Sequence, residues 1–354
     1  PILFYLSFLK YISSTSTDIL THIIVIYTLL QLVLGQEPVK NKYLYYIAIP
    51  LFCVTLKLSA SIIILVALFA FITMLRNKQY RILSCSAILG AIIIIPWCIR
   101  FVVLTGYLIY PFPSIDLFDP DWKMPLQMVI DEKESATAWA RATYRSTSEV
   151  MAMPFGEWFG IWIKALRKWD LLLYIIATIS PIIVLLNRKN MAKNNNLIAW
   201  TITLCGFIFC FFSAPDPRFG FGFIVCCAFI PFLTINSKTH KTTQETRSKI
   251  DSALSLCLIA AFIGFIGLGI RQVTHYQGNL PVKTLIFKPQ PVNTVKNNIN
   301  ATFTQHETSD FIIYSPDKDN RCFDQCLPCT TPEFAQRNIE LRGTDFRQGF
   351  RIKK

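Results

Sequence analysis

The sequence predicts an all-α polytopic membrane protein, and three observations carry that prediction. Apolar residues make up 53% of the chain and the mean hydropathy is +0.42. Only 16% of residues are charged, against roughly 25% in soluble domains. The charges that do occur sit in short clusters between long apolar runs, the pattern of spans and connecting loops.

The runs fall at about 1–9, 19–34, 43–56, 58–74, 82–109, 171–186, 197–213, 220–235 and 253–270. Several are shorter than the roughly 20 residues a helical span requires. Extension into flanking polar residues, tilt and helix breaks are expected to supply the rest. The chain opens on Pro1 inside an apolar stretch with no signal-peptide pattern, so we read it as N-terminally truncated, with upstream membrane helices missing.

Lys and Arg in the short loops set the orientation. Arg76, Lys78 and Arg81 form one basic loop, Arg188, Lys189 and Lys193 a second, and Lys238, Lys241, Arg247 and Lys249 a third. All fall on one side if the runs alternate, together with Lys40 and Lys42, and that side is expected to be the cytoplasm. The opposite side then receives residues 13–18, the break at Lys57, the loop 110–169, the turn 214–219 and the C-terminal tail. The expected organisation is transmembrane helices over 1–109, a periplasmic loop with interfacial helices over 110–169, transmembrane helices over 170–270, and a small periplasmic cap over 271–354.

Pro111, Pro113, Pro120 and Pro125 make the first part of the long loop turn-rich. Residues 131–148 read as a polar helix. Over 157–169, helical spacing puts Trp158, Trp162, Ala165 and Trp169 on one face with Lys164, Arg167 and Lys168 beside it. That is the pattern of a helix lying in the headgroup layer, or of an extended start to the next span. In the tail, residues 284–287 and 311–314 are candidate strands.

The net charge of +13 does not point to nucleic acid, because the basic residues sit where membrane topology places them. The four histidines, His22, His240, His275 and His306, are scattered, which argues against a histidine metal site.

Lys57 is the most informative charge, lying between two short apolar runs. A lysine inside a span costs about 2.5–3.5 kcal/mol on insertion scales, so it faces protein, water or an anion unless it snorkels at a turn. Arg100 lies in an apolar run behind Pro96, either as a ligand contact or as a structural, snorkelling cation. In Pro215-Asp216-Pro217-Arg218-Phe219 the prolines hold Asp216 and Arg218 close together. Arg218 there is either a phosphate-binding fork or self-satisfied by Asp216. Asp18 opens an apolar run, as a helix cap or a catalytic carboxylate.

Asp116, Asp119 and Asp121 cluster before Trp122, and Asp119-Pro120-Asp121 has the spacing at which two carboxylates hold a divalent metal and a diphosphate. Aspartate beside proline is also an ordinary turn signal. Eight of the eleven cysteines lie in apolar runs as small buried residues. Cys322, Cys326 and Cys329 remain. They are one ligand short of a metal motif, and on an oxidising side a disulfide is expected, with all three pairings open on spacing alone. Asn300-Ala301-Thr302 is a glycosylation sequon.

Lys57 followed by Ser59-Ala60 and a second apolar run resembles the broken segment of the GT-C glycosyltransferases, where a lysine meets lipid phosphate. Pro217-Arg218-Phe219 entering a span is similar to their late Arg-aromatic segment, and the helical loop 110–169 looks like their interfacial helices. More narrowly, Gly106-Tyr107, Tyr110-Pro111, Asp121-Trp122 and the cysteine tail resemble an uncharacterised bacterial membrane-protein family of the Bacteroidetes and Leptospira type, itself taken to be GT-C-like. The resemblance implies a bacterial inner-membrane enzyme that takes a sugar from a polyprenyl-phosphate donor for cell-envelope glycan synthesis. It implies Lys57, Arg100 and Arg218 on the lipid phosphate, Asp18 or an upstream carboxylate as general base, and a Cys322 to Cys329 disulfide. The expected partners are membrane lipid and the donor, not nucleic acid, and Asp119 and Asp121 are the candidate ligands for a divalent metal. The competing expectations are a transporter or flippase of an anionic lipid-linked substrate, and an inactive assembly protein of the same architecture.

Overall fold

The computed structural model describes residues 17–34, 40–192, 195–233, 302–308, 311–317, 322, 328–330, 339–345 and 348–352. The expected runs at 1–9 and 253–270, the strand at 284–287, Asn300 and Ala301 of the sequon, the basic loop at 238–249 and Cys326 lie outside them. The chain divides into two compact units, one of residues 1–118 and 124–252 and one of residues 119–123 and 253–354.

The first unit is helical. Its membrane-type helices are α1 (Asp18–Leu34), α2 (Lys40–Leu56), a 3-10 turn (Leu58–Ile63) running into α3 (Ile64–Arg76), and α4 (Tyr80–Thr105). Three short helices follow in the long loop: α5 (Leu126–Arg141), α6 (Thr147–Ala152) and α7 (Phe155–Ala165). Then come α8 (Lys168–Leu186), the short α9 (Arg188–Met191), α10 (Asn196–Ser213) and α11 (Pro217–Leu233). Four helical stretches among the described residues, 58–76, 80–105, 168–186 and 196–213, are long and apolar enough to cross a membrane. α1, α2 and α11 are apolar but, at 17 residues each, span only about 25 Å.

Local chemistry fixes the boundaries. α2 stops where Lys57 turns extended (φ −157°, ψ 121°), and the chain re-enters as the 3-10 turn when the Ala60 N–H donates to the Lys57 carbonyl at 3.0 Å. α4 continues through Pro96 and ends at Gly106, whose φ of 82° suits glycine and lets its N–H donate to the Val102 carbonyl at 2.9 Å. α11 begins with Pro217 in its first turn, and the Arg218 N–H donates to Asp216 Oδ1 at 2.8 Å. Proline costs no hydrogen bond there and aspartate caps the free donors.

The core lies among α1, α2, the 3-10 turn with α3, α10 and α11, with Leu29, Ile63, Val66 and Met74 fully buried. A second cluster joins Trp158 and Trp162 of α7 to Leu173, Tyr174 and Ala177 of α8 and Phe221 of α11. α4 is the least embedded span, with only Ser86 and Thr105 buried.

Two expectations for the loop change. The polar helix is not continuous over 131–148: α5 ends at Arg141, and Ser146 starts α6 by accepting from the Glu149 N–H at 3.4 Å. The tryptophan face also splits. Leu166 and Arg167 adopt extended geometry between α7 and α8, so α7 is a separate helix and not the start of the next span. Trp158 and Trp162 point into protein, whereas Trp169, on α8, is half exposed.

The second unit contains β structure. β1 (Phe303–Glu307) pairs antiparallel with β2 (Ile312–Pro316), Phe303 opposite Pro316 and Glu307 opposite Ile312. β3 (Ile339–Leu341) pairs antiparallel with β4 (Phe350–Ile352). The strand expected at 311–314 therefore exists, shifted slightly. The disulfide joins Cys322 to Cys329 with Cα atoms 5.9 Å apart, and Cys329 bridges to Tyr314 of β2. Residues 119–123 belong here: Arg342 pairs with Asp121 and its guanidinium lies 4.6 Å over the Trp122 ring.

Candidate functional site

Three helix ends meet at one carboxylate. Asp18 at the start of α1, Lys57 at the α2–α3 break and Arg218 in the first turn of α11 converge, although 39 and 200 residues separate Asp18 from its partners. The Lys57 ammonium pairs with Asp18 Oδ1, and Arg218 Nε donates to Asp18 Oδ2 at 2.6 Å. Lys57 Nζ also donates to the Arg218 carbonyl at 3.2 Å. One carboxylate thus accepts from two cations, an arrangement whose charge-assisted bonds are roughly twice as strong as neutral ones.

Burial is graded across the cluster. The Asp18 side chain is 3% exposed, Lys57 14% and Arg218 33%. The carboxylate is the floor and Arg218 the opening. Aromatic rings frame the cations: Lys57 Nζ lies 4.6 Å from the Phe219 centroid, and the Arg218 guanidinium 5.3 Å from Trp139 and 5.7 Å from Phe219. Such stacking is suited to guanidinium and holds its plane.

His22 secures the cluster from below. It is buried one turn after Asp18, its Nε2 2.9 Å from the Arg218 carbonyl, while the Gly222 N–H donates to Nδ1 at 3.3 Å. That pair of contacts fixes the tautomer with hydrogen on Nε2. The turn before α11 is anchored separately, because Trp162 Nε1 and the Tyr174 hydroxyl both donate to the Pro215 carbonyl, at 2.9 and 2.7 Å. Burial pushes the Asp216 carboxyl above its usual range, and the Arg218 backbone N–H works against that. Asp216 therefore satisfies Arg218 at the backbone, and the guanidinium goes to Asp18.

The other candidates lie elsewhere. Arg100 is exposed on α4 and makes no ion pair among the described residues. The structure does not bring it to the cluster. Asp119 pairs with Lys123 at 3.8 Å and Asp121 with Arg342, so each carboxylate of that candidate metal pair has its own cation. No group of three or more His, Cys, Asp or Glu side chains suited to a metal forms among the described residues.

His22 and Trp139 were not singled out as site residues in the sequence. For His22 a signal existed, since Asp18 and His22 are four apart and share a helix face. For Trp139 no comparable signal exists; its place over Arg218 depends on how α5 packs.

The architecture defines a helical membrane protein with a buried, doubly ion-paired carboxylate where three helices end. Residues 1–225 match the family model described as "Domain of unknown function (DUF8201)", and the chain belongs to that family. The matched region contains the whole of the Asp18, Lys57 and Arg218 cluster. No curated protein and no solved structure matches the chain.

Proposed function

We propose that this protein is a membrane glycosyltransferase of the bacterial inner membrane, with its C-terminal tail in the periplasm, and that it moves a sugar from a polyprenyl-phosphate donor during cell-envelope glycan synthesis. The observation that supports this reading is the Asp18 carboxylate held between Lys57 and Arg218, with Arg218 one-third exposed.

In this reading the donor phosphate competes with Asp18 for the two cations. Phosphate offers several strong acceptors, and the planar arginine fork suits it. Once Lys57 and Arg218 turn to the phosphate, Asp18 loses its counter-charges and becomes more basic. The acceptor hydroxyl then attacks the anomeric carbon. Its proton passes to Asp18, the bond from that carbon to the phosphate oxygen breaks, and polyprenyl phosphate leaves with the electron pair, its charge met by the cations. Arg100 and the Asp119 and Asp121 pair have no part in this step.

Transfer of radiolabelled sugar from polyprenyl-phosphate donors, assayed with the full chain in detergent, tests the proposal. Asp18→Asn should abolish transfer. Lys57→Ala and Arg218→Ala should each weaken donor binding about tenfold or more. Arg218→Lys should recover only part, because the fork is lost. Unchanged donor affinity in both alanine variants would make the cluster a structural ion triad. Movement of intact donor across a bilayer without transfer would place the same charges in a translocation path.

A further inference from the structure

The reaction proposed above leaves one charged side chain at the opening of the site without a task. Asp216 sits between Pro215 and Pro217 and commits one oxygen, Oδ1, to the Arg218 N–H at 2.8 Å. Its Oδ2 makes no hydrogen bond or ion pair among the described residues. Side-chain donors around that turn are committed elsewhere: Trp162 Nε1 and the Tyr174 hydroxyl serve the Pro215 carbonyl, and Arg218 Nε serves Asp18. Asp216 is only partly buried, and the charges of Arg218, Asp170 and Lys57 all reach it. It therefore lies in the surroundings of the Asp18 cluster, on the Arg218 side.

Capping α11 does not require a charge at this position. Serine or asparagine would offer the same oxygen to the Arg218 N–H, and the helix dipole favours a carboxylate only modestly. A carboxylate here also works against a phosphate on Lys57 and Arg218, because like charges in one site disfavour each other. An ionised carboxylate can only accept, so its free oxygen suits a hydroxyl, and a hydrogen bond to a charged acceptor is roughly twice as strong as a neutral one. In a polyprenyl-phosphate sugar the phosphate only accepts and the prenyl chain has nothing to donate. The sugar hydroxyls are the donors, and the sugar is bonded directly to the phosphate that Lys57 and Arg218 would hold.

We propose that Asp216 recognises the transferred sugar, its Oδ2 accepting from a sugar hydroxyl while Oδ1 keeps the α11 cap. This role rests on the polyprenyl-phosphate donor proposed above, and it gives the site a means of telling a loaded donor from the bare lipid. A site built to accept from a substrate hydroxyl discriminates strongly against the molecule that lacks it.

The test measures binding to the full chain in detergent of bare polyprenyl phosphate and of polyprenyl-phosphate glucose, galactose, mannose and N-acetylglucosamine. At least one sugar should make the lipid bind the parent about tenfold or more tighter than the bare lipid binds. Asp216→Asn and Asp216→Ser, which both keep a capping oxygen, should melt near the parent and lose most of that gain. The same variants should bind the bare lipid as tightly as the parent or more tightly, because a negative charge has left the surroundings of the phosphate. A sugar gain that survives in both variants, an equal loss for sugar and bare lipid, a melting temperature that falls far in both, or a parent that gains nothing from any of the sugars would each overturn the role of Asp216 and leave the phosphate site standing. Bare lipid that binds the parent no better than it binds Arg218→Ala would remove the donor site itself, and the role of Asp216 with it.

Discussion

Asp18 is the residue on which the cluster balances. Removing one partner from a buried ion pair costs about 3–5 kcal/mol, because the other charge is left unpaired. Asp18→Ala strands two cations at once, whereas Lys57→Met leaves Arg218 still paired with Asp18. We therefore expect Asp18→Ala to lower the melting temperature in detergent by more than Lys57→Met does; the reverse order would show that Asp18 is not the hub. The sequence made each member visible as a charge at the edge of an apolar run. It left open which anion Lys57 and Arg218 serve, because a helix edge is a property of local sequence and a pairing across 200 residues is not. Asp119 and Asp121 show the same limit: their spacing suggested a shared metal, and the fold gives each a separate cation.

At the scale of elements, α11 is the piece that brings Arg218 in, and its glycines set how closely it approaches. A Cβ on Gly222 would meet Val25 Cγ1 at 2.9 Å and the His22 carbonyl at 3.2 Å. Such overpacking costs about 1–3 kcal/mol. Gly160 in α7 has nothing within 4 Å of the same position, and replacing glycine by alanine in an open helix interior gains about 1 kcal/mol or less. Thermal melts should thus show Gly222→Ala destabilised and Gly160→Ala unchanged or improved; equal effects would mean that α1 and α11 are not in close contact. Helix positions were legible because apolar period and punctuation agree: Pro217, Gly106 and the Lys57 break all fall where elements begin or end. The burial of Trp158 and Trp162 was not legible. A tryptophan stripe facing headgroups and one facing protein have the same spacing, and only the position of Phe211 and Tyr174 decides between them.

For the whole molecule, the meeting of residues 18, 57 and 218 constrains topology. The helix ends at 18, 56–58 and 217 lie together, so the ends at 34, 76 and 233 lie about 25 Å or more away, at the far ends of their helices. The loop with Arg76, Lys78 and Arg81 follows one of those far ends, where the charge rule expects basic residues on a cytoplasmic side. Tags at residues 77 and 189 should accordingly be accessible from the cytoplasm and a tag at residue 354 from the periplasm. Cytoplasmic access to the last would reverse the tail and remove the proposed reaction from the cell-envelope side. The β pairing of the tail could be read only in part, from the apolar stretch at 311–314. The contact of Arg342 with Asp121 joins segments 221 residues apart, and nothing local announces it.

The order in which the three charges are made gives the cluster a history. Asp18 and Lys57 leave the ribosome early, and Arg218 follows 161 residues after Lys57. At cellular synthesis rates that interval is on the order of ten seconds. During it the Arg218 carbonyl that Lys57 and His22 will share does not yet exist. Arrival of α11 brings the Arg218 contacts to Asp18, Lys57 and His22 together, so this cluster is completed by the insertion of a late helix and not by the folding of an early one.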